Sequence, residues 1–132
     1  MSAITAYLAR LIGLSTIVLV GAFMMRGSSP ITATIADSPI MLVYAIFSLA
    51  AGLAIVLGHN VWSGGALPVI VSVVGWLILA KGLLLLFADH ETLVILVERM
   101  NYDQNYLFYL SPSLALGLYL TYAGFTASAS KL

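Results

Sequence analysis

Leu67–Phe87 reads LPVIVSVVGWLILAKGLLLLF, and Lys81 is the one charge in it. A helix needs about 20 apolar residues to cross roughly 30 Å of hydrocarbon. This run therefore predicts a membrane-spanning helix with an ammonium inside it. Three more segments share its character: Ile4–Met25, Met41–Leu57 and Leu107–Thr126. The expected fold is all-α, a polytopic membrane protein with four transmembrane helices in one domain over residues 1–132.

Composition points the same way. The chain is 62% hydrophobic and 8% charged, whereas a soluble domain carries roughly 25% charged residues. Too few charges remain to coat a water-facing surface, so lipid is the expected solvent. Arg10, Arg26, Lys81, Arg99 and Lys131 are scattered and the formal net charge is zero. No basic patch exists for nucleic acid. The absence of cysteine excludes paired-thiol chemistry, thiolate metal sites and haem attachment through CxxCH. Leu11–Met25 runs into Met24-Met25-Arg26 with no small-x-small pattern, so it is expected to stay as a span and not to be cleaved as a signal peptide.

The breaks between spans carry stop signals. RGSSP (Arg26–Pro30) ends the first. Ser38-Pro39 predicts a cap followed by proline at the first helical position. GHNVWSGG (Gly58–Gly65) predicts a tight hairpin in which the glycines and Asn60 take the turn geometry. In Ala88–Asn105, Leu93, Leu96, Val97 and Met100 recur at helical spacing among Glu91, Glu98 and Arg99, which predicts a short interfacial helix.

Four crossings place both termini and the Gly58–Gly65 hairpin on one face, here the first face. Arg26–Pro39 and Ala88–Asn105 fall on the second. All five acids (Asp37, Asp89, Glu91, Glu98, Asp103) lie on the second face and the basic residues divide between the two. The positive-inside rule thus discriminates little; the acids tilt the reading toward cytoplasmic termini in a bacterial inner membrane.

Lys81 lies six residues before Phe87, which puts its Cα about 9 Å below the second face at 1.5 Å per residue. An unpaired lysine at such depth costs about 2.5–3.5 kcal/mol. Its helical neighbours Leu77, Ile78, Leu84 and Leu85 offer nothing polar. Its Cα–Cβ bond tilts toward the helix N-terminus, here the far face. A polar layer at matching depth comprises Tyr44 and Ser48 on the second span with Tyr109, Ser111 and Ser113 on the fourth. Asp37 and Asp103 are candidate counter-ions. Pro112 inside the fourth helix would free the carbonyl of Phe108; a helix starting at Pro112 is the alternative, and leaves few apolar residues before Ser128. Two readings of Lys81 stand: a structural one, snorkelling or an internal tie, and a ligand or ion pathway.

His59 and Asn60 exceed what a turn requires. His59 reads either as part of a turn beside an interfacial Trp62 anchor or as a proton-responsive group at the mouth of a path. Trp76, in mid-span, needs an acceptor for its indole N–H. His59 and His90 end different spans on opposite faces, so they cannot share one haem. Asp89-His90-Glu91 are consecutive and radiate from a helix, and Asp89 reads more simply as a helix cap. No metal site, no cofactor and no catalytic pair is expected. Stripes of small residues (Ala50, Ala54, Gly58; Ser48, Gly52; Ser113, Gly117, Thr121, Gly124) permit close helix approach, both within a subunit and between subunits.

HNVW (His59–Trp62), Gly75-Trp76 and Lys81-Gly82 together resemble the pattern of a group of small bacterial four-helix integral membrane proteins. The likeness covers Gly58–Gly82 and implies a fold, not an activity. No acid lies inside the first span, as small multidrug exporters would have, and the phenylalanine-rich, Asn-containing pattern of fluoride channels is missing. The functional expectation is a homo-oligomeric channel or transporter for a small anion or polar solute, lined by Lys81. The alternative is a non-catalytic accessory subunit that binds a partner membrane protein, lipid or pigment.

Overall fold

The computed structural model describes residues 2–27 and 37–130. Among them the chain forms helices and no strands: α1 (Ala3–Arg26), α2 (Ser38–Gly58), α3 (Ala66–Phe87), α4 (His90–Arg99) and α5 (Tyr102–Ser130). Three of these, α1, α2 and α3, are long and apolar enough to cross a membrane, which supports a membrane protein. The fourth predicted crossing, Leu107–Thr126, lies within α5, where tyrosines, serines and Pro112 dilute the apolar character.

Each helix starts and stops for a local reason. The Ser2 hydroxyl caps α1 by accepting the Thr5 amide. Gly27 ends α1 at φ 85°, a conformation that favours glycine. The cap of α2 is Asp37, whose Oδ1 accepts the Ile40 amide at 3.1 Å. It stands one residue before the predicted Ser38, so Pro39 occupies the second helical position. Asp89 caps α4 as expected, accepting the Thr92 amide at 2.9 Å. Pro112 is inside α5, and the break in helical dihedrals falls earlier, at Asn105.

The helices pack as two antiparallel pairs, α1 with α5 and α2 with α3. Glycine lets both pairs close. On α2–α3, Gly52 faces the backbone of Leu79, Gly75 faces the Ile55 side chain, and Gly82 faces Leu49, where a Cβ would stand 2.6 Å from a backbone nitrogen. On α1–α5, Gly13 faces Thr121, Gly117 faces Thr16 at 3.1 Å, and Gly124 faces Arg10 at 3.0 Å. The small-residue stripes containing Ser48-Gly52 and Gly117-Thr121-Gly124 are thus used inside the subunit. Ala50, Ala54 and Gly58 stay exposed.

The two pairs meet over a much smaller surface. Their shared core is Ala9, Ile55, Leu67, Val71, Val74 and Leu120. All of these lie toward the end of the molecule that holds the α1 N-terminus, the α2–α3 connection and the α5 C-terminus, which are together as the topology predicts. Helix α4 packs only lightly, against α5. It buries Leu93 and leaves Ile95, Leu96 and Met100 exposed, the pattern of a helix whose apolar side seeks another partner or an acyl boundary.

Two outcomes follow. Gly82→Val drives a side chain into the α2 backbone and is expected to cost at least the 1–3 kcal/mol or so typical of overpacking. Gly21→Ala, where a Cβ meets nothing within 4 Å, is expected to be neutral or slightly stabilising. Thermal unfolding in one detergent compares them. Hydrogen bonding by Thr92, side chain first and then backbone amide, holds the Asp89 carboxyl below its ordinary value of 3.8. Its folded pKa is depressed, so the cap contributes fully above 3.8 and is lost as pH falls through the lowered value. Circular dichroism of Asp89→Asn should lack the acid-induced fraying that the parent shows in this window.

Candidate functional site

The polar side chains gather at two ends of the α2–α3 pair. At the first face, His59 follows the last turn of α2 in extended backbone (φ −151°, ψ 94°). No turn or bend falls between Asn60 and Ser63; the chain bends at Gly64 and Gly65, whose φ values of 91° and 122° favour glycine. Asn60 does not carry the turn, contrary to the sequence expectation. Residues 59–62 therefore run beside the first two turns of α3.

Ser72 explains how this segment is held. Its hydroxyl accepts the Val61 amide at 2.9 Å and donates toward the carbonyls of Val61 and Pro68, at 2.8 and 3.0 Å. It also lies 3.2 Å from His59 Nδ1. On the other side of the ring, Nε2 is 2.8 Å from the Thr5 hydroxyl on α1, which is 2.8 Å from the Ser2 hydroxyl. His59 is 2% exposed, and Thr5 and Ser72 each 1%. One imidazole therefore joins α1, the connecting segment and α3 where the two helix pairs meet.

Proton counting assigns the tautomer. Ser72 has one hydroxyl proton, and carbonyls at 2.8 and 3.0 Å compete for it, which favours the arrangement in which its oxygen accepts from His59 and Nδ1 carries the hydrogen. Neutral Nε2 then accepts from Thr5, and Thr5 accepts from Ser2. Every buried polar atom in the chain Ser2–Thr5–His59–Ser72 has a partner.

Asn60, exposed beside this tie, serves both tryptophans. Its side-chain oxygen accepts the indole N–H of Trp62 at 2.6 Å and of Trp76 at 3.3 Å. The acceptor that Trp76 requires is thus on the preceding connection. Trp62 and Trp76 are 55% and 45% exposed, forming an outward aromatic patch.

At the other end, the Lys81 ammonium donates to the Tyr44 hydroxyl at 2.8 Å and sits 4.9 Å from the centre of that ring. Both residues are on the exposed flank of α2–α3. Because Gly82 packs at Ser48 and Leu49, Tyr44 lies about 6 Å, four residues at 1.5 Å each, nearer the second face. The lysine stem bends back toward that face, against the initial tilt of its Cβ.

The rest of the predicted layer does not join Lys81. Ser48 is buried and donates to the Ile78 carbonyl at 3.2 Å. Tyr109 donates to the Met100 carbonyl at 2.7 Å and stacks on Tyr102 with ring centres 6.0 Å apart, securing the α4–α5 corner. Ser111 returns its proton to Leu107 at 2.6 Å. Ser113 is half-buried on the side of α5 that carries Gly117. Asp37 is engaged as a cap, and the Asp103 side chain lies outside the described residues.

Sequence reasoning missed Thr5, Ser72 and Arg10. Each left a signal. Ser72 is a hydroxyl within an apolar run. Thr5 stands three residues after a capping serine. Arg10 lies well inside a predicted span, where its Nε donates to the Gly124 carbonyl at 3.2 Å and its guanidinium rests 4.8 Å over Phe125. Compared with protein-family models, with curated proteins and with solved structures, the chain matches none.

Ser72→Ala strips the Val61 amide and His59 Nδ1–H of their shared acceptor. Leaving a buried donor unsatisfied costs about 1–3 kcal/mol. The variant should unfold at correspondingly lower denaturant or temperature, whereas Ser111→Ala, on an exposed helix surface, should not.

Proposed function

We propose that the chain is an integral membrane protein crossing the bilayer four times and assembling as a homo-oligomer, with Lys81 beside a path for a small anion or other polar solute between subunits. The carrying observation is the outward Lys81–Tyr44 pair. An ammonium at this height costs about 2.5–3.5 kcal/mol in lipid, and one phenol hydroxyl leaves two of its three N–H donors to be satisfied. Among the described residues no other helix of the same subunit supplies them. A second subunit, or water held between subunits, meets that need, and the exposed stripe of Ala50, Ala54 and Gly58 on α2 suits close approach of another helix.

Helix α5 suits a fourth crossing in that two hydroxyls on it return their protons to its own backbone. Ser111 and Thr121 each donate to the carbonyl four residues earlier, so they leave no open group in hydrocarbon. It also lies antiparallel along α1, one of the helices able to cross. On this reading the likeness of HNVW, Gly75-Trp76 and Lys81-Gly82 to the pattern of small bacterial four-helix membrane proteins is a family likeness, and the acids on the second face favour cytoplasmic termini.

A second reading draws on the direction of the lysine stem. Bent toward the second face, Lys81 reaches headgroup level, and the α2–α3 flank becomes a docking surface for a partner membrane protein, lipid or pigment in an accessory subunit.

Reconstitution into liposomes separates the two. The first reading expects a monodisperse homo-oligomer and a flux of small anions that Lys81→Met removes and Lys81→Arg largely keeps. Equal flux in the parent and Lys81→Met would overturn it. A monomer that conducts nothing and co-purifies with a membrane partner would establish the second reading instead.

A further inference from the structure

We propose that His59 is a proton-binding site filled from the first face through the hydroxyls of Ser2 and Thr5. The inference stands apart from any path at Lys81, which belongs to the opposite end of the α2–α3 pair.

The geometry supplies an unbroken line of exchangeable hydrogens. Ser2 is exposed, and its Oγ is 2.8 Å from Thr5 Oγ1, which is 2.8 Å from His59 Nε2. In the resting arrangement Ser2 donates to Thr5 and Thr5 donates to Nε2. A proton from water can bind Ser2 Oγ while the Ser2 hydroxyl proton passes to Thr5 Oγ1 and the Thr5 proton passes to Nε2. Each oxygen gains one proton and loses one, and the imidazole gains one net. Afterwards Nε2–H donates to Thr5, Thr5 donates to Ser2, and Ser2 donates outward. Nδ1–H remains on Ser72, and the bonds from Ser72 to the Val61 and Pro68 carbonyls are untouched.

Both protonation states therefore keep every hydrogen bond, which a purely structural tie does not require. A histidine held for structure alone needs only one orientation of its hydroxyl neighbours. Here the orientation reverses without moving a heavy atom.

Few titratable groups lie on the elements packed around the ring. On α1, Tyr7 is 60% exposed and Arg10 is turned to Gly124 and Phe125. The last turns of α2 carry no titratable group, and α3 carries none from Ala66 to Ala80. On α5, Tyr119 and Tyr122 are exposed. Among the described residues the ring's polar partners are the hydroxyls of Thr5 and Ser72, with no carboxylate to hold the proton permanently, and the proton can leave by the route it entered.

The test is nitrogen NMR of the full chain in lipid nanodiscs, with the His59 ring signals identified by their loss in His59→Gln. The parent is expected to show a neutral ring protonated on Nδ1 at alkaline pH and a doubly protonated ring on acidification, reversibly and with the fold intact. Ser2→Ala leaves both ring partners in place and should slow exchange of the ring proton with water about a hundredfold, the lower end of what a positioned proton-transfer group contributes. Thr5→Ser should keep the parent rate. A ring that stays neutral until the protein unfolds, a neutral ring protonated on Nε2, or an unchanged rate in Ser2→Ala would each overturn the proposal.

Discussion

The contact on which this structure depends is the hydroxyl–imidazole tie of Thr5, His59 and Ser72. Two helix pairs, each closed by glycine against backbone, present little common surface, and their shared core is six residues near one end. In hydrocarbon, apolar contact between helices gains little over contact with lipid, so packing and hydrogen bonds decide association. A fully satisfied polar network in such surroundings specifies one arrangement, because any other leaves costly groups unpaired. His59 contributes this specificity with one ring, each nitrogen bound to a different helix.

The same tie accounts for the non-helical segment after α2. Extended backbone beside the first turns of a helix able to cross a membrane needs its own donors and acceptors satisfied by protein. Ser72 does this for both the amide and the carbonyl of Val61, and Asn60 does the equivalent for two indoles. The opposite end is built differently. There Lys81 and Tyr44 form a pair on an open flank, and α4 rests with Ile95 and Leu96 uncovered. One end is tied internally, and the other leaves polar and apolar groups exposed.

Much of this was legible from the residues. Uninterrupted apolar length marked α1, α2 and α3, the spacing of Leu93, Leu96 and Met100 marked α4, and Asp89 was readable as a cap. Depth put Tyr44 among five candidate neighbours of Lys81, and Tyr44 is the one that bonds to it. What depth cannot encode is azimuth: Ser48, Tyr109 and Ser111 lie at suitable heights but turn to carbonyls of their own or neighbouring helices, and Ser113 is half-buried on the Gly117 side of α5. His59 was conspicuous, yet its partners were not, since serine and threonine inside a helix usually return their protons to a carbonyl one turn back. Ser72 does that and still accepts from two donors, a combination visible only once the connecting segment is placed beside it. The glycines at 64 and 65, readable from the sequence as turn residues, carry the bend that brings it there.

The central claim is that His59 holds the two helix pairs together while glycine packing holds each pair independently. The chain has no cysteine, so spin labels can be introduced cleanly at exposed positions. Distances between Leu14 and Leu118 report within the α1–α5 pair, and those between Leu14 and Leu77 report across pairs. In lipid nanodiscs, His59→Leu should broaden or shift the second distribution and leave the first sharp. If both distributions stay as sharp and centred as in the parent, the imidazole is not what joins the pairs.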